Sequence, residues 1–359
     1  MRILTESNIE DIALGAAVLG TGGGGDPYIG KLMARQAIRD YGPVELYTLD
    51  ELSDDDLIVP TAMMGAPTVM VEKMPNGDDI INAFKSVGKY IGKPIKATMS
   101  IEAGGLNSVV PLYVAARLRL PFVDCDGMGR AFPELQMVTH SIYGISSTPF
   151  AMSDERGNTV LMETVGNKWT ETFARSVTVN MGAMSMIALY AATVKELKEA
   201  AVQGTVTLAE EIGKTIRRAR VQEADPVKTV REAVGGFEIF KGKISDVARR
   251  TEAGFAKGDA FIEGIDDYSG QKLEINFQNE HLAATIDGKV AVSVPDLITI
   301  LDIDTGEPIT TEAMRYGYRV AVIGIPCDKR WRTEKGLELV GPRYFGYDVD
   351  YVPVEERYG

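Results

Sequence analysis

The stretch LPFVDCDGMGRAFPE, residues 120–134, joins a short apolar segment to a loop rich in acids and glycines. Leu120 to Val123 is typical of a buried strand, and Asp124 and Asp126 follow where that strand ends. Ligands in open α/β sheets bind at the carboxyl ends of the strands. We therefore expect an α/β sheet with a functional site at this edge. The structural alternative is a helix capped by Asp126, with Arg130 neutralising Asp124.

The residue types of this loop suit acid–base chemistry. Asp124 and Asp126 raise each other's pKa if both lose water, which is how acid–base pairs arise. Gly127 and Gly129 allow the backbone to approach a ligand closely. The planar guanidinium of Arg130 can hold an anion such as a substrate carboxylate.

Helical and strand patterns alternate over the first 160 residues, which favours a mostly parallel sheet with helices on its faces. After about residue 165, several helical segments precede short alternating ones, including an Asp287-Gly288 hairpin turn. The sequence therefore predicts an α/β plus β-rich fold. A mostly parallel three-layer α/β domain spans 1–165, and a mixed, β-rich domain with a helical insert spans 166–359.

Composition excludes several classes of function. The net charge of −13 argues against nucleic acid or an anionic membrane as a partner. Two cysteines and two histidines provide neither a disulfide scaffold nor zinc-ligand spacing, and they fit a cytoplasmic location. The N-terminus lacks the apolar core of a signal peptide. The uncharged residues 176–194 are expected to form a buried helix end and a strand rather than a membrane span.

Further candidates follow other predicted elements. Thr61 to Pro67 ends one strand, and Glu102 and Asn107 flank a Gly-Gly pair at the end of another. A four-glycine run between two helices either presents backbone N–H groups to an anion or is a simple loop. Asn279 and Glu280 precede a strand and either contact a ligand or solvate an edge. The glycines in question are Gly22, Gly23, Gly24, Gly25, Gly104 and Gly105.

Six segments together resemble the S-methyl-thiohydantoin desulfurase family. The most specific is the run from Asp124 to Met137, and together the segments cover nearly the whole chain. The other five are Gly20 to Pro27, Ser100 to Asn107, Gln278 to Glu280, Pro295 to Ile298 and Val340 to Arg343. The resemblance implies an N-terminal α/β domain, a C-terminal β-rich domain and hydrolytic removal of sulfur from a thiohydantoin-type ring. It also implies that Cys125 is incidental and not a nucleophile.

Hydrolysis of such a ring needs a base, an acid and groups that stabilise an oxyanion. We expect Asp124 or Asp126 to act as base and acid, with Glu102 as a competitor. The glycine amides would stabilise developing charge, and Arg130 would grip a substrate carboxylate. The remaining substrate-binding candidates are Asn107, Asn279, Glu280 and Arg343.

The cofactor, partner and exact activity stay open. A divalent metal on Asp124, Asp126, Glu102 and Glu134 is one hypothesis, and such an all-carboxylate set suits Mg²⁺ or Mn²⁺ better than zinc. The alternative functions are an ATP-assisted cyclic-amide hydrolase subunit of the hydantoinase or oxoprolinase type, and a non-catalytic ligand-binding partner. We expect a small-molecule substrate and either a homo-oligomer or a hydantoinase-type partner subunit.

Overall fold

The computed structural model describes residues 1–65, 69, 75–252 and 254–359. Residues 66 and 67, which end the predicted segment Thr61 to Pro67, lie outside that part of the chain. The helices are α1 (Glu6–Leu19), α2 (Pro27–Tyr41), α3 (Asp78–Ile91), α4 (Val110–Leu118), α5 (Thr139–Ile142), α6 (Asn167–Asn180), α7 (Val194–Ala200), α8 (Thr205–Val221), α9 (Pro226–Ala233), α10 (Glu334–Val340) and α11 (Val354–Tyr358).

The strands divide between the two halves of the chain. Those of the first half are β1 (Arg2–Leu4), β2 (Val44–Tyr47), β3 (Leu57–Gly65), β4 (Ile95–Ser100), β5 (Phe122–Val123), β6 (Cys125–Asp126), β7 (Phe150–Ser153) and β8 (Thr159–Met162). Those of the second are β9 (Met184–Ala188), β10 (Ala192–Thr193), β11 (Val202–Gln203), β12 (Phe237–Glu252), β13 (Phe255–Gly264), β14 (Lys272–Gln278), β15 (Glu280–Ile286), β16 (Lys289–Ser293), β17 (Leu297–Asp302) and β18 (Arg319–Ile325).

The first sheet has the strand order β1-β2-β5-β4-β3-β9-β7-β8, with β10 also paired to β3. Its central strands β2, β5, β4 and β3 are parallel, and the flanking pairs are antiparallel. Phe122 packs with residues of α1, α2 and α4, whereas its neighbour Val123 packs with Leu197 of α7. Because adjacent strand residues point to opposite faces, helices cover both faces of this sheet. The predicted α/β class is confirmed.

Local sequence explains why α1 begins where it does. Thr5 and Asn8 form a capping box, in which Oδ1 of Asn8 accepts from the N–H of Thr5 at 2.8 Å. Five apolar residues recur at helical spacing along α1 and all are buried, namely Ile9, Ile12, Ala13, Ala16 and Ala17. The uncharged segment 176–194 forms the end of α6 and then β9, as expected. β9 and β10 join the first sheet, so that sheet takes strands from both sides of residue 165.

The second sheet has the order β16-β15-β14-β13-β12-β18-β17 and is antiparallel throughout. The predicted Asp287-Gly288 hairpin is confirmed, since both residues have the positive φ that such a turn requires. Val322 of β18 packs among residues of its own sheet, whereas Ile323 packs in a core shared with Val18 and Phe132 of the first half. The second sheet is therefore buried on two faces, one of them against the first half.

Among the described residues, no helix combines the length and the apolar character that crossing a membrane requires.

Candidate active site

Four distant segments of the chain come together around one cavity. They are residues 20–25 between α1 and α2, residues 101–107 after β4, residues 127–135 after β6, and residues 279–280 at the β14–β15 turn. Hydrogen bonds from backbone N–H groups to backbone carbonyls join these segments. The N–H of Leu106 donates to the carbonyl of Gly24 at 2.9 Å, and that of Gly127 donates to the carbonyl of Ile101 at 2.9 Å. The N–H of His281 donates to the carbonyl of Thr21 at 2.8 Å. The strand-end motifs of the first half therefore meet a turn of the second sheet.

The glycine run allows this close approach. A Cβ atom on Gly24, which has φ +75°, would lie 2.6 Å from the carbonyl carbon of Gly104. A Cβ atom on Gly105, with φ +46°, would collide with the backbone of Gly25 and Gly24. A side chain on Gly22 would overlap the ring of His281. The absence of side chains at these positions therefore allows the loops to pack closely. Of the glycines predicted to bind a substrate, only Gly24 and Gly25 line the cavity.

The space in and above the cavity measures about 580 Å³, including the part open to solvent. Both halves of the chain contribute to its wall. The lining residues are Gly24, Gly25, Ala62, Met63, Met64, Gly65, Ile101, Glu102, Asn107, Met128, Phe132, Pro133, Glu134, Leu135, Arg175, Ile187, Asn279 and Glu280. Most of them are apolar, and the polar ones include the carboxyl groups of Glu102, Glu280 and Glu134.

Glu102 is the first of these carboxyl groups. It is buried, and its Oε1 accepts a 2.6 Å hydrogen bond from Nδ2 of Asn107. Asn107 is itself fixed to the backbone of Met63, donating to its carbonyl at 3.1 Å and accepting from its N–H at 2.7 Å. Burial, aided by the charge of Asp126, raises the pKa of Glu102 to about 7. Asn107 therefore positions a carboxyl group that exchanges protons near neutral pH.

Glu280 is the second carboxyl group. It is buried, and its Oε1 accepts from the N–H of Gly24 at 3.3 Å, while its Oε2 has no hydrogen-bond partner among the described residues. Burial, followed by the charge of Glu102, raises the pKa of Glu280 well above its usual value, and Arg130 only partly opposes this. The charge of an ionised Glu102 therefore favours the protonated form of Glu280.

Arg130 does not reach the cavity and has no donor left for a substrate. A guanidinium has five N–H groups, and each of them meets an acceptor here. The acceptors are the carbonyls of Ala131 (3.0 Å), Pro295 (2.8 Å), Asp296 (2.8 Å) and His281 (3.4 Å), and Oγ1 of Thr21 (3.0 Å). Arg130 is fully buried, and burial lowers its pKa to about 10, so it stays charged at neutral pH. The expectation that it grips a substrate carboxylate is therefore wrong, and Arg130 instead joins the two halves of the chain.

Asp126 lies behind Glu102, outside the main cavity. Its Oδ2 accepts from the N–H groups of Met128 at 2.7 Å and Gly129 at 2.8 Å, and Oδ1 is unpartnered among the described residues. Asp126 and Glu102 line a second, smaller cavity together with Thr205. Burial raises the pKa of Asp126 to about 7. Asp126 and Glu102 therefore lie close together, but of the two only Glu102 also lines the larger cavity.

Asp124 has a different task. Its carboxylate accepts from the N–H groups of Val206 at 2.9 Å and Thr207 at 3.1 Å, and from the hydroxyl of Thr207. These groups form the first turn of α8, whose N-cap residue is Gly204 and has no side chain to cap it. Asp124 therefore caps α8 from another part of the chain, and we no longer count it among the proton-transfer candidates.

Comparisons with known proteins agree with this architecture. A profile of the S-Me-THD-like N-terminal domain matches residues 7–164, and one of the S-Me-THD-like C-terminal domain matches residues 165–354. The chain belongs to the S-Me-THD-like family. This is the S-methyl-thiohydantoin desulfurase family that the sequence motifs resemble.

The fold also occurs in a crystal structure of a protein from Chromobacterium violaceum, with a TM-score of 0.81. The two are 22% identical, and the match covers 99% of this chain and 100% of that one. None of the curated proteins compared with the chain matches it.

The S-Me-THD-like motifs contribute unequally to the cavity. Glu102, Asn107, Asn279 and Glu280 line it, and Asn279 is fixed by a 2.9 Å hydrogen bond from the N–H of Ala256 to its Oδ1. Gly22, Gly23, Gly104 and Gly105 lie behind the lining residues and pack the loops together. Arg343 does not line the cavity, because its 60% exposed side chain pairs with Asp348 and Asp350.

The proposed carboxylate metal set does not assemble in this S-Me-THD-like chain. Asp124 caps α8, and Glu134 forms an ion pair with Lys168 and accepts hydrogen bonds from Gln136 and Tyr344. These contacts together outweigh burial and lower the pKa of Glu134. Within the described residues, no group of three or more His, Cys, Asp or Glu side chains is arranged to hold a metal ion. The four acids therefore do not form the site that their spacing suggested.

Sequence reasoning missed Arg175, a cationic residue in the wall of the cavity. It lies on α6, outside every motif that carries the S-Me-THD-like resemblance. Its sequence neighbourhood reads simply as an amphipathic helix, so no local signal marks it. Sequence reasoning also missed the apolar character of the wall, to which Met63, Met64 and Phe132 contribute.

Proposed function

We propose that the protein hydrolyses a small cyclic thioamide or amide of the thiohydantoin type. The observation that carries this proposal is the pair Glu102 and Glu280. Both are buried carboxyl groups in one cavity, burial raises the pKa of each, and the charge of Glu102 raises that of Glu280 further. When one of two such carboxyl groups has ionised, its charge keeps the other protonated, so the pair supplies a base and an acid at the same pH.

In this mechanism Glu102 is the general base and Glu280 the general acid. The reacting group is a ring C(=N)–SCH₃ group. Glu280 gives a proton to its nitrogen, and Glu102 takes a proton from a water molecule as the water oxygen bonds to the ring carbon. The C–S bond then breaks. The departing sulfur takes the proton held by Glu102. The hydroxyl group formed from water becomes a carbonyl and gives its proton back to Glu280. A ring C(=N)–SCH₃ group and water thus yield C(=O)–NH and methanethiol, without oxidation or reduction.

The apolar wall suits this chemistry. Met63, Met64 and Phe132 provide a surface against which a flat ring can pack, and a low-polarity cavity strengthens the electrostatic interactions inside it. Asn107 holds Glu102 in one orientation, which keeps the base in place before the substrate arrives.

The test is thiol release from an S-methyl-thiohydantoin by wild type, Glu102→Gln and Glu280→Gln. An amide keeps the shape of a carboxyl group but cannot transfer its proton, so each change should lower kcat by roughly 10²- to 10⁴-fold. Glu263→Gln, at an exposed position of β13, is the matched control and should leave turnover unchanged.

Other results would favour other functions. Turnover that begins only when ATP is added would support the cyclic-amide hydrolase subunit. Ring binding by wild type without any turnover would support the ligand-binding partner. Full activity in both Gln variants, with unchanged thermal melts, would exclude the carboxyl pair as the catalytic groups.

A further inference from the structure

Strand β8 ends the first sheet and has an open edge. The sheet order stops at β8, so one of its sides has no neighbouring strand among the described residues. Its pairing with β7 is antiparallel and regular, and beside it the N–H of Asp154 donates to the carbonyl of Asn158 at 3.1 Å. Because hydrogen-bonded pairs alternate along such a ladder, Thr159 and Leu161 turn their N–H and C=O groups toward the open edge.

β8 lacks the features by which proteins protect a free edge. Charged side chains, prolines and bulges are the usual protection, and the strand Thr159–Met162 contains none of them. The edges of the second sheet differ. Arg357 of α11 donates to the carbonyl of Val290 in β16 at 3.1 Å. At the other edge, Leu301 of β17 pairs with Pro308 in an isolated bridge. An unprotected edge such as that of β8 is a template for pairing with another chain.

Exposed apolar side chains continue from β8 into α6. Val165 is 94% exposed, and the side chains of Trp169 and Phe173 are 52% and 48% exposed. The centres of these two rings are 5.4 Å apart. Arg175, which lines the cavity, follows Phe173 by two residues, or about 200° around the helix. The aromatic pair therefore lies on the flank of α6 that faces away from the cavity.

The charge of this segment suits an identical partner. Residues 157–194 contain two acids and two bases, which sum to zero, whereas the whole chain carries −13. The four are Glu163, Lys168, Glu171 and Arg175. Two copies of so acidic a chain repel each other over most of their surface, and a neutral segment is where they can approach.

We propose that the protein forms a symmetric dimer in which β8 of one copy pairs antiparallel with β8 of the other. Pairing of the outward-facing backbone groups places Leu161 opposite Leu161 and Thr159 opposite Glu163, so no like charges meet. The two-fold axis is then perpendicular to the sheet, which keeps α6 of both copies on one face. Stable interfaces bury roughly 800 Å² on each partner, more than a four-residue strand offers, and Trp169 and Phe173 supply further apolar area. This inference does not depend on the proposed reaction.

Sedimentation velocity over a concentration series measures the assembly directly. Wild type should reach twice the 39.0 kDa of one chain as its concentration rises. Leu161→Lys places two like charges opposite each other at the axis and should raise the dissociation constant of the dimer more than about tenfold. Ile3→Lys makes the same exchange at an exposed position of β1, the strand at the opposite edge of the sheet, and is the matched control. Thermal melts test that both variants fold.

A crosslink tests the register of the two strands. Opposed residues of a hydrogen-bonded antiparallel pair have Cα atoms about 5.5 Å apart, which a disulfide can span. Under oxidising conditions Leu161→Cys should therefore give a covalent dimer on a non-reducing gel, and Ile3→Cys should not. The native Cys125 and Cys327 are buried and do not interfere.

Three results would overturn the pairing. The first is a single 39.0 kDa chain in wild type at every concentration, which would leave the edge to a different partner. The second is a dimer that Leu161→Lys and Ile3→Lys weaken equally. The third is a dimer that Trp169→Gln dissociates while Leu161→Lys does not, because the copies would then meet through α6 alone.

Discussion

Gly23 and Glu280 lie so close together that a Cβ atom on Gly23 would stand 2.6 Å from Cγ of Glu280 and still nearer its carboxyl group. The backbone of Gly23 lacks a positive φ, so alanine fits it without strain and the effect is purely steric. Gly23→Ala should displace Glu280 and lower kcat/KM by at least about tenfold, since small misplacements of catalytic groups are costly. Gly166→Ala, where a side chain would meet open space, is the control. Equal activity of the two variants would contradict the placement of Glu280.

Asp126 should tune Glu102 rather than replace it. Its charge adds to burial in raising the pKa of Glu102, so Asp126→Asn should lower that pKa. If Glu102 is the base, kcat/KM in wild type rises with pH through about 7, and in Asp126→Asn the rise should occur at lower pH with a similar plateau. The measurement is a pH–rate profile of both proteins. A loss of roughly 10²-fold or more at every pH would instead make Asp126 the proton-transfer group.

The raised pKa of Glu102 should also lower the free energy of unfolding as the pH rises. A carboxyl group with a folded pKa of about 7 and an unfolded pKa of 4.5 binds its proton more tightly in the folded state. Its contribution is therefore full below pH 4.5 and is lost as pH rises to about 7, by roughly 3 kcal/mol. Glu102→Gln removes this loss and should unfold at higher urea concentration than wild type at about pH 8, but not at about pH 4. The same difference at both pH values would contradict the assignment.

Asp124 should matter for stability and not for turnover. Asp124→Ala removes the acceptor for two N–H groups of α8 and should lower the free energy of unfolding by about 1 kcal/mol, with a range of roughly 0.5–2 kcal/mol. Asp124→Asn keeps an acceptor oxygen and should lose less. Urea unfolding measures the first effect and steady-state kinetics the second. Loss of kcat without loss of stability would restore Asp124 to the catalytic group.

Local signals in the sequence predicted much of the fold. The Asp287-Gly288 turn and the helix end and strand expected at 176–194 depend on neighbouring residues, and the structure confirms both. β12 runs from Phe237 to Glu252, and its outer half shows no clear strand pattern, because six of the eight residues 245–252 are polar or charged and none of the eight is buried. Such mixed text carries a weak strand signal.

The sequence predicted which segments form the site, but not the hydrogen-bonding state of each side chain in it. Strand-end acids pointed to Glu102 and Asn107, and the turn before β15 pointed to Glu280. The state of each side chain depends on partners far along the chain: Arg130 is satisfied by carbonyls of Pro295 and Asp296, and Asp124 by amides of α8. Spacing within one motif cannot show whether a donor is already used by a residue more than a hundred positions away.

The saturation of Arg130 has a consequence for how the protein is made. A ribosome adds Glu102, Asn107 and Arg130 long before it reaches Pro295 and Asp296. Until residues 280–296 emerge, the guanidinium lacks the carbonyl acceptors of His281, Pro295 and Asp296, and Glu280 is absent from the cavity wall. A nascent chain, or one stopped early by a nonsense mutation, therefore has its proposed base but no finished cavity. The proposed activity thus requires a chain that extends at least to Asp296.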